Sequence, residues 1–361
     1  MAHGKSSPLP FSTSLPYNPG TMNTRFNYRT WLASAVLALG TAPAWAQTGP
    51  GLVMKPFVSG MTFEGQTSQM VFAQASTNQE HNPASLNIND SSFRAKLPMG
   101  SDRGGTTQPA GDQGSWMDLI TEPVIGYQHT WIHLDTSHSG LPSNLFDQSL
   151  AFGCTFYRTE LWKFAALAGM GWAGQDPYAD ADSLYGKASL VAQRQLDAKS
   201  CLILSLNYNG NGVMFPDIPL PGVAYSRRES ETLSYTLGVP FSSVTWEPVE
   251  RLTIDATFGL PYDFEAKVSY ELCKPVAIFT CYDSRMQAFR VQDDNSTRHF
   301  FGQNTLEAGV NYTPCRFITF TLAGGYAMGT RTSTGYDARN LDTVTRMSDT
   351  PYGRVGAELR F

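Results

Sequence analysis

The chain has 361 residues, of which 42% are hydrophobic, 12% aromatic and 16% charged, and its formal net charge at pH 7 is −5. This composition excludes a disordered chain, and the negative charge disfavours nucleic acid as a partner. Beyond an N-terminal leader, no stretch of about 18 apolar residues exists, which excludes a helical membrane protein. The aromatic content and the 32 glycines indicate a β-rich protein.

The N-terminal segment has the pattern of an export signal. A basic segment with two arginines precedes a short apolar run over residues 32–40, and Ala44-Trp45-Ala46 matches the small-x-small cleavage pattern. The apolar run is too short to span a bilayer. The sequence therefore predicts a leader over residues 1–46, with cleavage before Gln47 and export of the rest of the chain.

The segment that follows the leader has little periodicity. Residues 47–90 are rich in Gln, Asn and Ser. We expect residues 47–121 to form an N-terminal periplasmic extension or a partial plug, and the sequence leaves both possibilities open.

From residue 122 onward, apolar residues recur at every second position. In residues 251–260, for example, Leu252, Ile254 and Phe258 alternate with Thr253 and Asp255. This period of two predicts β-strands with one apolar and one polar face. We predict twelve strands, over residues 122–134, 147–158, 161–173, 183–196, 200–209, 232–246, 251–260, 265–272, 275–291, 299–312, 315–328 and 351–361.

Two features favour a barrel in lipid over a soluble sandwich. One strand face is continuously apolar, with aromatics near the strand ends, and the links between strands alternate between long and short, apart from a short link after residue 260. The sequence therefore predicts an all-β fold, an antiparallel transmembrane barrel of about 12 strands over residues 122–361. An even number of strands puts both termini in the periplasm of a cell with an outer membrane.

The polar faces of the predicted strands carry charges of both signs. Such side chains are tolerated in a water-filled lumen and not in lipid. The predicted lumen-facing residues are Asp255, Glu265, Lys267, Glu271, Glu307, Arg354, Glu358 and Arg360. Their mixed signs suit either a polarised pore or a closed network of ion pairs.

Two groups of possible metal ligands lie within the predicted barrel. They are His129, His133, Asp135 and His138, and Asp176, Asp180 and Asp182. Neither group has the spacing of a zinc or calcium site, so we predict no metal, no cofactor and no catalytic residue. The five cysteines are scattered over different predicted strands, and we expect them to be small apolar fillers.

The chain ends with "YGRVGAELRF", a strand of strict alternation. Its apolar face carries Val355, Ala357, Leu359 and the terminal Phe361. This pattern resembles the C-terminal signal of bacterial outer-membrane barrels. It implies outer-membrane lipid and the barrel assembly machinery as partners.

Longer motifs extend this resemblance. The stretches "PLPG", "GVPFSSVTWEP", "NTLEAGVNYTPCRFITFTLAGGYAMG" and "SDTPYGRVGAELRF" resemble an uncharacterised outer-membrane barrel family of Planctomycetes and Bacteroidetes. The resemblance covers about residues 120–361. It implies the fold and the outer-membrane location, and no activity.

These observations lead to one principal hypothesis for function and two alternatives. We expect a passive pore or transport channel for small solutes. A lipid- or peptide-cleaving barrel enzyme and a structural envelope protein without transport stay open. The sequence selects no nucleophile with a base beside it, as hydrolysis would require.

Overall fold

The computed structural model describes residues 64–77, 85–99, 123–136, 141–176, 181–291 and 294–360. The predicted leader and the terminal Phe361 lie outside these residues. No helix within the described ranges is long and apolar enough to cross a membrane.

The described residues form a closed barrel of sixteen antiparallel strands. In chain order these are β1 (Glu64–Phe72, continued by Ala75–Ser76), β2 (Ser85–Pro98), β3 (Val124–Thr136), β4 (Asn144–Arg158), β5 (Trp162–Gly174), β6 (Leu184–Gln195), β7 (Ser200–Asn209), β8 (Leu220–Arg228), β9 (Leu233–Val239), β10 (Phe241–Val249), β11 (Leu252–Gly259), β12 (Asp263–Cys273), β13 (Val276–Val291), β14 (Asp294–Cys315), β15 (Ile318–Gly335) and β16 (Leu341–Arg346, continued by Thr350–Arg360).

The first and last strands close the sheet. β1 pairs with β2 on one side and with β16 on the other, and Glu64 lies opposite Arg360. Each strand therefore has two hydrogen-bonded neighbours, and the barrel has no free edge among the described residues. The final segment of the chain is a paired strand, as its alternation predicts.

The prediction of about twelve strands was wrong, and four differences account for the count of sixteen. β1 and β2 lie in the wall, although their residues were expected to form an N-terminal extension or a partial plug. The described barrel therefore begins at Glu64 and not at residue 122. β8 was missed. The predicted strand over 232–246 is two strands, β9 and β10, joined by Pro240 alone.

Each miss has a physical reason. The outward positions of β1 and β2 include Gln69, Asn87 and Asn89, so polar residues interrupt the apolar face on which the prediction depended. A link of one residue leaves no polar segment to mark a turn, and the alternation continues through Pro240. Proline suits this position because it has no N–H to contribute to a ladder.

The distribution of side chains is the inverse of that in a soluble protein. On β11, Thr253, Asp255 and Thr257 are buried, whereas Phe258 is 43% exposed. Large apolar side chains are exposed all around the barrel, and they include Leu150, Leu190, Leu237, Val268, Ile278 and Leu322. An apolar exterior around a polar interior is the architecture of a transmembrane β-barrel.

The wall of the barrel has unequal height. The two ends of the described chain, Glu64 and Arg360, lie at one rim, which we call the lower rim. β9, β10 and β11 have only 7–9 residues, whereas β13, β14 and β15 have 16–22 residues. A transmembrane β-strand needs about 9–11 residues. The long strands therefore continue past the short ones at the upper rim.

The upper part of the β13–β14 hairpin is buried on both faces. Phe289 and Phe301 pack on one face against β1, β3 and β4, in a core with Ile132 and Leu134. The other face, which includes Met286, Ala288 and Phe300, is covered by the β7–β8 link and the β15–β16 link. We call this part of the hairpin, residues 286–291 and 294–303, the partition, because a packed core lies on one of its sides and a cavity on the other.

The two faces of β12 give a first test. Val268 is 38% exposed on the outer face, and Ser269 is partly buried on the lumen side. We expect Val268→Lys to lower the free energy of unfolding by about 2–4 kcal/mol, because it places a charge in lipid near the middle of the strand.

The matched control is Ser269→Lys, which places the same charge one residue further along, beside Glu271 on the inner face. We expect Ser269→Lys to lower the free energy of unfolding by less than 1 kcal/mol, because the energy of a solvated charge pair is of this order. Urea unfolding from lipid vesicles measures both. Equal losses, or a larger loss for Ser269→Lys, would mean that the faces are assigned the wrong way round.

Candidate functional site

The lower half of the lumen holds a charged cavity. Its empty volume is about 1150 Å³, including open solvent, and it is lined by β1, β2 and β12–β16. Five acidic and four basic side chains line it: Asp90, Glu265, Asp283, Glu307 and Glu358, with Arg94, Lys267, Arg285 and Arg354. We call this space the lower cavity. The strands position these charges on alternate residues, and their outward neighbours are mostly apolar.

One ion pair in the lower cavity joins β14 to β16. The Arg354 guanidinium donates to both carboxylate oxygens of Glu307, at 2.5 and 2.9 Å, and the Tyr352 hydroxyl donates to the same carboxylate at 3.0 Å. Both partners are mostly buried, with side-chain exposures of 19% for Arg354 and 9% for Glu307. Such a two-pronged pair fixes the guanidinium in place and holds its charge at the cavity wall.

A second ion pair crosses the lumen. Arg285 on β13 donates to Asp90 on β2 at 2.5 Å, and Asp283 lies 3.8 Å from the same guanidinium group. β13 and β2 are separated in the sheet by β14, β15, β16 and β1, so this contact spans the interior and does not follow the wall. Met70, which belongs to the packed core, contacts the Arg285 guanidinium at 3.7 Å. We call the Arg285–Asp90 pair the Arg285 bridge.

A second cavity lies at the upper end, on the side of the short strands. Its empty volume is about 1600 Å³, including its open mouth. Apolar side chains dominate the lining and include Val191, Ile203, Met214, Phe241, Leu260 and Met286. We call this space the upper cavity. On one side this cavity is bordered by the upper ends of the short strands, at Pro240 and Pro261. On the other side it is bordered by the partition.

The β7–β8 link, residues 210–219, extends from the wall to the partition, and we call it the strap. Asn211 Nδ2 donates to the Ala288 carbonyl at 2.8 Å, and Arg298 donates to the Gly212 carbonyl at 2.8 Å. Ala338 N–H donates to the Val213 carbonyl at 3.0 Å. These contacts join the strap to both the partition and the β15–β16 link, so the strap covers part of the barrel mouth.

Arg298 is the central residue of this attachment. Its Nε donates to the Tyr336 carbonyl at 2.7 Å, and its guanidinium lies 5.2 Å from the Phe300 ring centroid. Burial, assisted by the nearby charge of Arg290, lowers the pKa of Arg298 to about 10. The side chain therefore stays protonated at neutral pH and keeps all its donors.

The two cavities follow one another along the same two strands. On β12, Asp263 lines the upper cavity, and Glu265 and Lys267 line the lower one. On β13, Gln287 lines the upper cavity and Arg285 the lower one. Residues two apart on one face of a strand are separated by about 6–7 Å. The Arg285 bridge therefore lies at the boundary between the cavities.

The predicted lumen-facing residues occupy several positions. Glu265, Lys267, Glu307, Arg354 and Glu358 line the lower cavity. Asp255 is buried and accepts a hydrogen bond from Thr245 at 2.8 Å. Arg360 is buried and pairs with Glu358 on its own strand, while Glu271 is partly buried near the lower rim and does not line either cavity.

The described residues of the predicted assembly signal lie on the other face of β16. Val355 is 53% exposed, and Ala357 and Leu359 are partly buried. Phe361 is outside the described residues.

Sequence reasoning missed the Arg285 bridge. Asp283 and Arg285 lie on a predicted strand and alternate with Tyr282 and Ser284, so periodicity alone was sufficient to place them on the inner face. The position of Asp90 could not be predicted, because its strand was not predicted. No pattern in the sequence pairs β2 with β13 across the lumen.

The possible metal ligands have other contacts. The His133 ring nitrogen lies 2.9 Å from the Asn144 side-chain oxygen, and the His129 ring packs on Phe146. No group of three or more His, Cys, Asp or Glu side chains with metal-site geometry occurs in the described part of the chain, and His138 and Asp180 lie outside it. All five cysteines are free thiols.

Comparison with known proteins reveals only distant likeness. No protein-family model and no curated protein sequence matches the chain. Among solved structures, a mutant of the monoaromatic hydrocarbon channel TodX aligns with a TM-score of 0.40 and 10% identity, over 89% of this chain and 95% of that one. The Acinetobacter baumannii outer membrane protein Omp33 aligns with a TM-score of 0.35 and 7% identity, over 83% of this chain and 98% of that one. A Pseudomonas aeruginosa FadL homologue aligns with a TM-score of 0.34 and 9% identity, over 83% of this chain and 90% of that one.

The Arg354–Glu307 pair generates a test of the lower cavity. We expect Arg354→Met and Glu307→Met each to lower the free energy of unfolding by about 2 kcal/mol, between the values for exposed and for fully buried pairs, because each leaves one charge without its partner. The double variant should lose clearly less than the sum of the two. Urea unfolding in lipid vesicles, analysed as a double-mutant cycle, measures this coupling. Additive losses would show that the two charges are held independently.

Proposed function

We propose that the protein is an outer-membrane channel that passes small solutes through the upper cavity and then the lower cavity. The observation that carries this proposal is the succession of the two cavities along β12 and β13, with the Arg285 bridge between them. A barrel of sixteen strands is wide enough to hold an aqueous passage. The solute enters a largely apolar chamber and leaves through a charged one.

The location in the outer membrane follows from the same architecture. A closed barrel satisfies every backbone group internally, and its apolar exterior requires a lipid solvent. On this proposal the lower rim, where both described ends lie, faces the periplasm, and the open mouth of the upper cavity faces outward. Membership of the uncharacterised Planctomycetes and Bacteroidetes family stays a prediction from the sequence motifs.

The transport step depends on the Arg285 bridge. The guanidinium and the two carboxylates form a mixed-charge constriction, which gives weak selectivity between cations and anions. A displacement of the Arg285 side chain opens the boundary, because its stem of three methylene groups can rotate the guanidinium toward the lower cavity without moving the wall.

Conductance in planar lipid bilayers tests the proposal. We expect refolded protein to produce small ohmic current steps. The double variant Arg285→Ala, Asp90→Ala removes both charges and both side chains of the bridge, so its steps should be at least twofold larger. Leu322→Ala, on the lipid face, is the matched control and should conduct like the original chain.

The two alternatives give different results in the same preparation. A structural envelope protein stays silent in the bilayer in both the original and the double variant, while retaining its heat-modifiable gel shift. A barrel enzyme hydrolyses ester or peptide substrates in micelles. Silence in folded protein, with or without hydrolysis, would overturn the channel proposal.

A further inference from the structure

One sector of the outer wall carries polar side chains where the rest of the wall is apolar. Two ladder rows of directly opposite residues cross β16, β1, β2, β3 and β4 in this sector. In that order of strands, they are Ala357, Thr67, Phe93, His129 and Gln148, and, above them, Val355, Gln69, Ser91, Trp131 and Phe146. We call these ten residues the polar sector. On β6, β7 and β9, by contrast, the exposed outward residues are Leu190, Leu204, Leu206, Leu237 and Val239.

The polar sector faces outward and lies within the membrane-spanning part of the wall. Met70, the chain neighbour of Gln69, is buried inside the barrel, whereas Phe93 and Trp131 are 37% and 46% exposed. Gln69 is itself exposed, and it follows the lower-rim residue Glu64 by five positions. A spanning strand needs about 9–11 residues, so Gln69 lies at a depth where a single barrel would present its amide to hydrocarbon.

Two of these polar side chains have no hydrogen-bond partner within the part of the chain that the structure describes. They are Gln69 and His129, and the ring of His129 only packs against that of Phe146, at 4.8 Å between centroids. Gln148, by comparison, accepts the Tyr127 hydroxyl at 3.2 Å. Hydrocarbon supplies neither donors nor acceptors, so polar groups that face it without partners are costly. The polar sector therefore requires a cover that can form hydrogen bonds.

The chemistry of the sector fits a second copy of the same surface. Its ten residues include no Asp, Glu, Lys or Arg, so two copies meet without repulsion between like charges, and a charged partner gains no ion pair. The amide of Gln69 contains both donors and an acceptor, and it can pair with the same amide of an identical chain. Phe93 and Trp131 add large aromatic side chains of the kind that anchor protein interfaces.

We propose that two copies of this chain associate through the polar sector, related by a two-fold axis along the membrane normal. A two-fold axis places the same patch of both copies face to face. A ring of three or more copies would instead place the sector against another part of the wall, where apolar side chains offer Gln69 and His129 no partner. This inference goes beyond the proposed channel and does not depend on conductance.

Cysteine cross-linking in vesicles tests which surface forms the contact. Ser91 lies at the middle of the upper row, so its counterpart in the second copy should lie close to the two-fold axis. In a chain without native cysteines, at a high ratio of lipid to protein, Ser91→Cys should form a disulfide-linked dimer on mild oxidation. The matched control is Leu204→Cys on the outer face of β7, which should stay monomeric.

A second experiment removes the unpartnered polar groups. The double variant Gln69→Leu, His129→Leu makes the sector compatible with lipid, so the dissociation constant of the dimer in the membrane should rise at least tenfold. Photobleaching steps of labelled chains, counted over a series of lipid dilutions, measure this constant. The matched control is Thr280→Val, which removes an exposed outward hydroxyl group from β13 and should leave the constant within twofold. Each variant is first checked for its heat-modifiable gel shift.

Four results would overturn the proposal. The original chain could be monomeric at every dilution, or Ser91→Cys and Leu204→Cys could cross-link equally, as in non-specific aggregation. The folded double variant could dimerise as well as the original chain, which would place the contact elsewhere. Chains with Ser91→Cys could also cross-link to chains with Leu204→Cys, as in a ring. If the double variant does not fold, the comparison of Ser91→Cys with Leu204→Cys still decides.

Discussion

The closure of the sheet is the constraint on which the rest of this structure depends. In lipid, an unpaired backbone N–H or C=O group costs several kcal/mol, so the last strand must find the first. Here the ladder that joins β1 to β16 runs from the pair of Glu64 and Arg360 to that of Phe72 and Tyr352. This closure leaves one side of every strand toward lipid and the other toward the lumen. The alternation of apolar and charged residues is its direct consequence.

Closure also explains how charges can be kept inside the barrel. Arg354, Glu307, Arg285 and Asp90 are excluded from lipid by the wall and are paired within the lumen. Ion pairs of this kind contribute little net stability, because the gain from attraction is offset by the loss of hydration. In the proposed channel, their main effect is to set the size and the charge of the passage.

The sequence alone was sufficient for the class of fold and for much of the inner face. Alternation in β11, β12, β14 and β16 placed residues such as Glu265 and Glu307 on the polar side, because lipid selects strongly for apolar side chains opposite them. Strands could not be recognised where this selection is weak, as in β1 and β2 with their outward Gln and Asn side chains, so the strand count could not be predicted. The partition and the strap were also beyond reach. They depend on contacts between residues far apart in the chain, such as Asn211 with Ala288 and Arg298 with Gly212, and no local period encodes these.

Spin labels placed along β11 in a cysteine-free chain give the most direct test of the central claim, that the barrel is apolar outside and wet within. The labelled positions are residues 252–259, one at a time, in protein reconstituted into vesicles. We expect collisions with lipid-soluble oxygen to peak at Leu252, Ile254 and Phe258, and collisions with a water-soluble nickel chelate to peak at Thr253, Asp255 and Thr257. Along the strand, the two collision rates then oscillate with the same period of two residues and with opposite phase. In-phase oscillations, or chelate collisions that peak at Leu252, Ile254 and Phe258, would show that the barrel is not apolar outside and wet within.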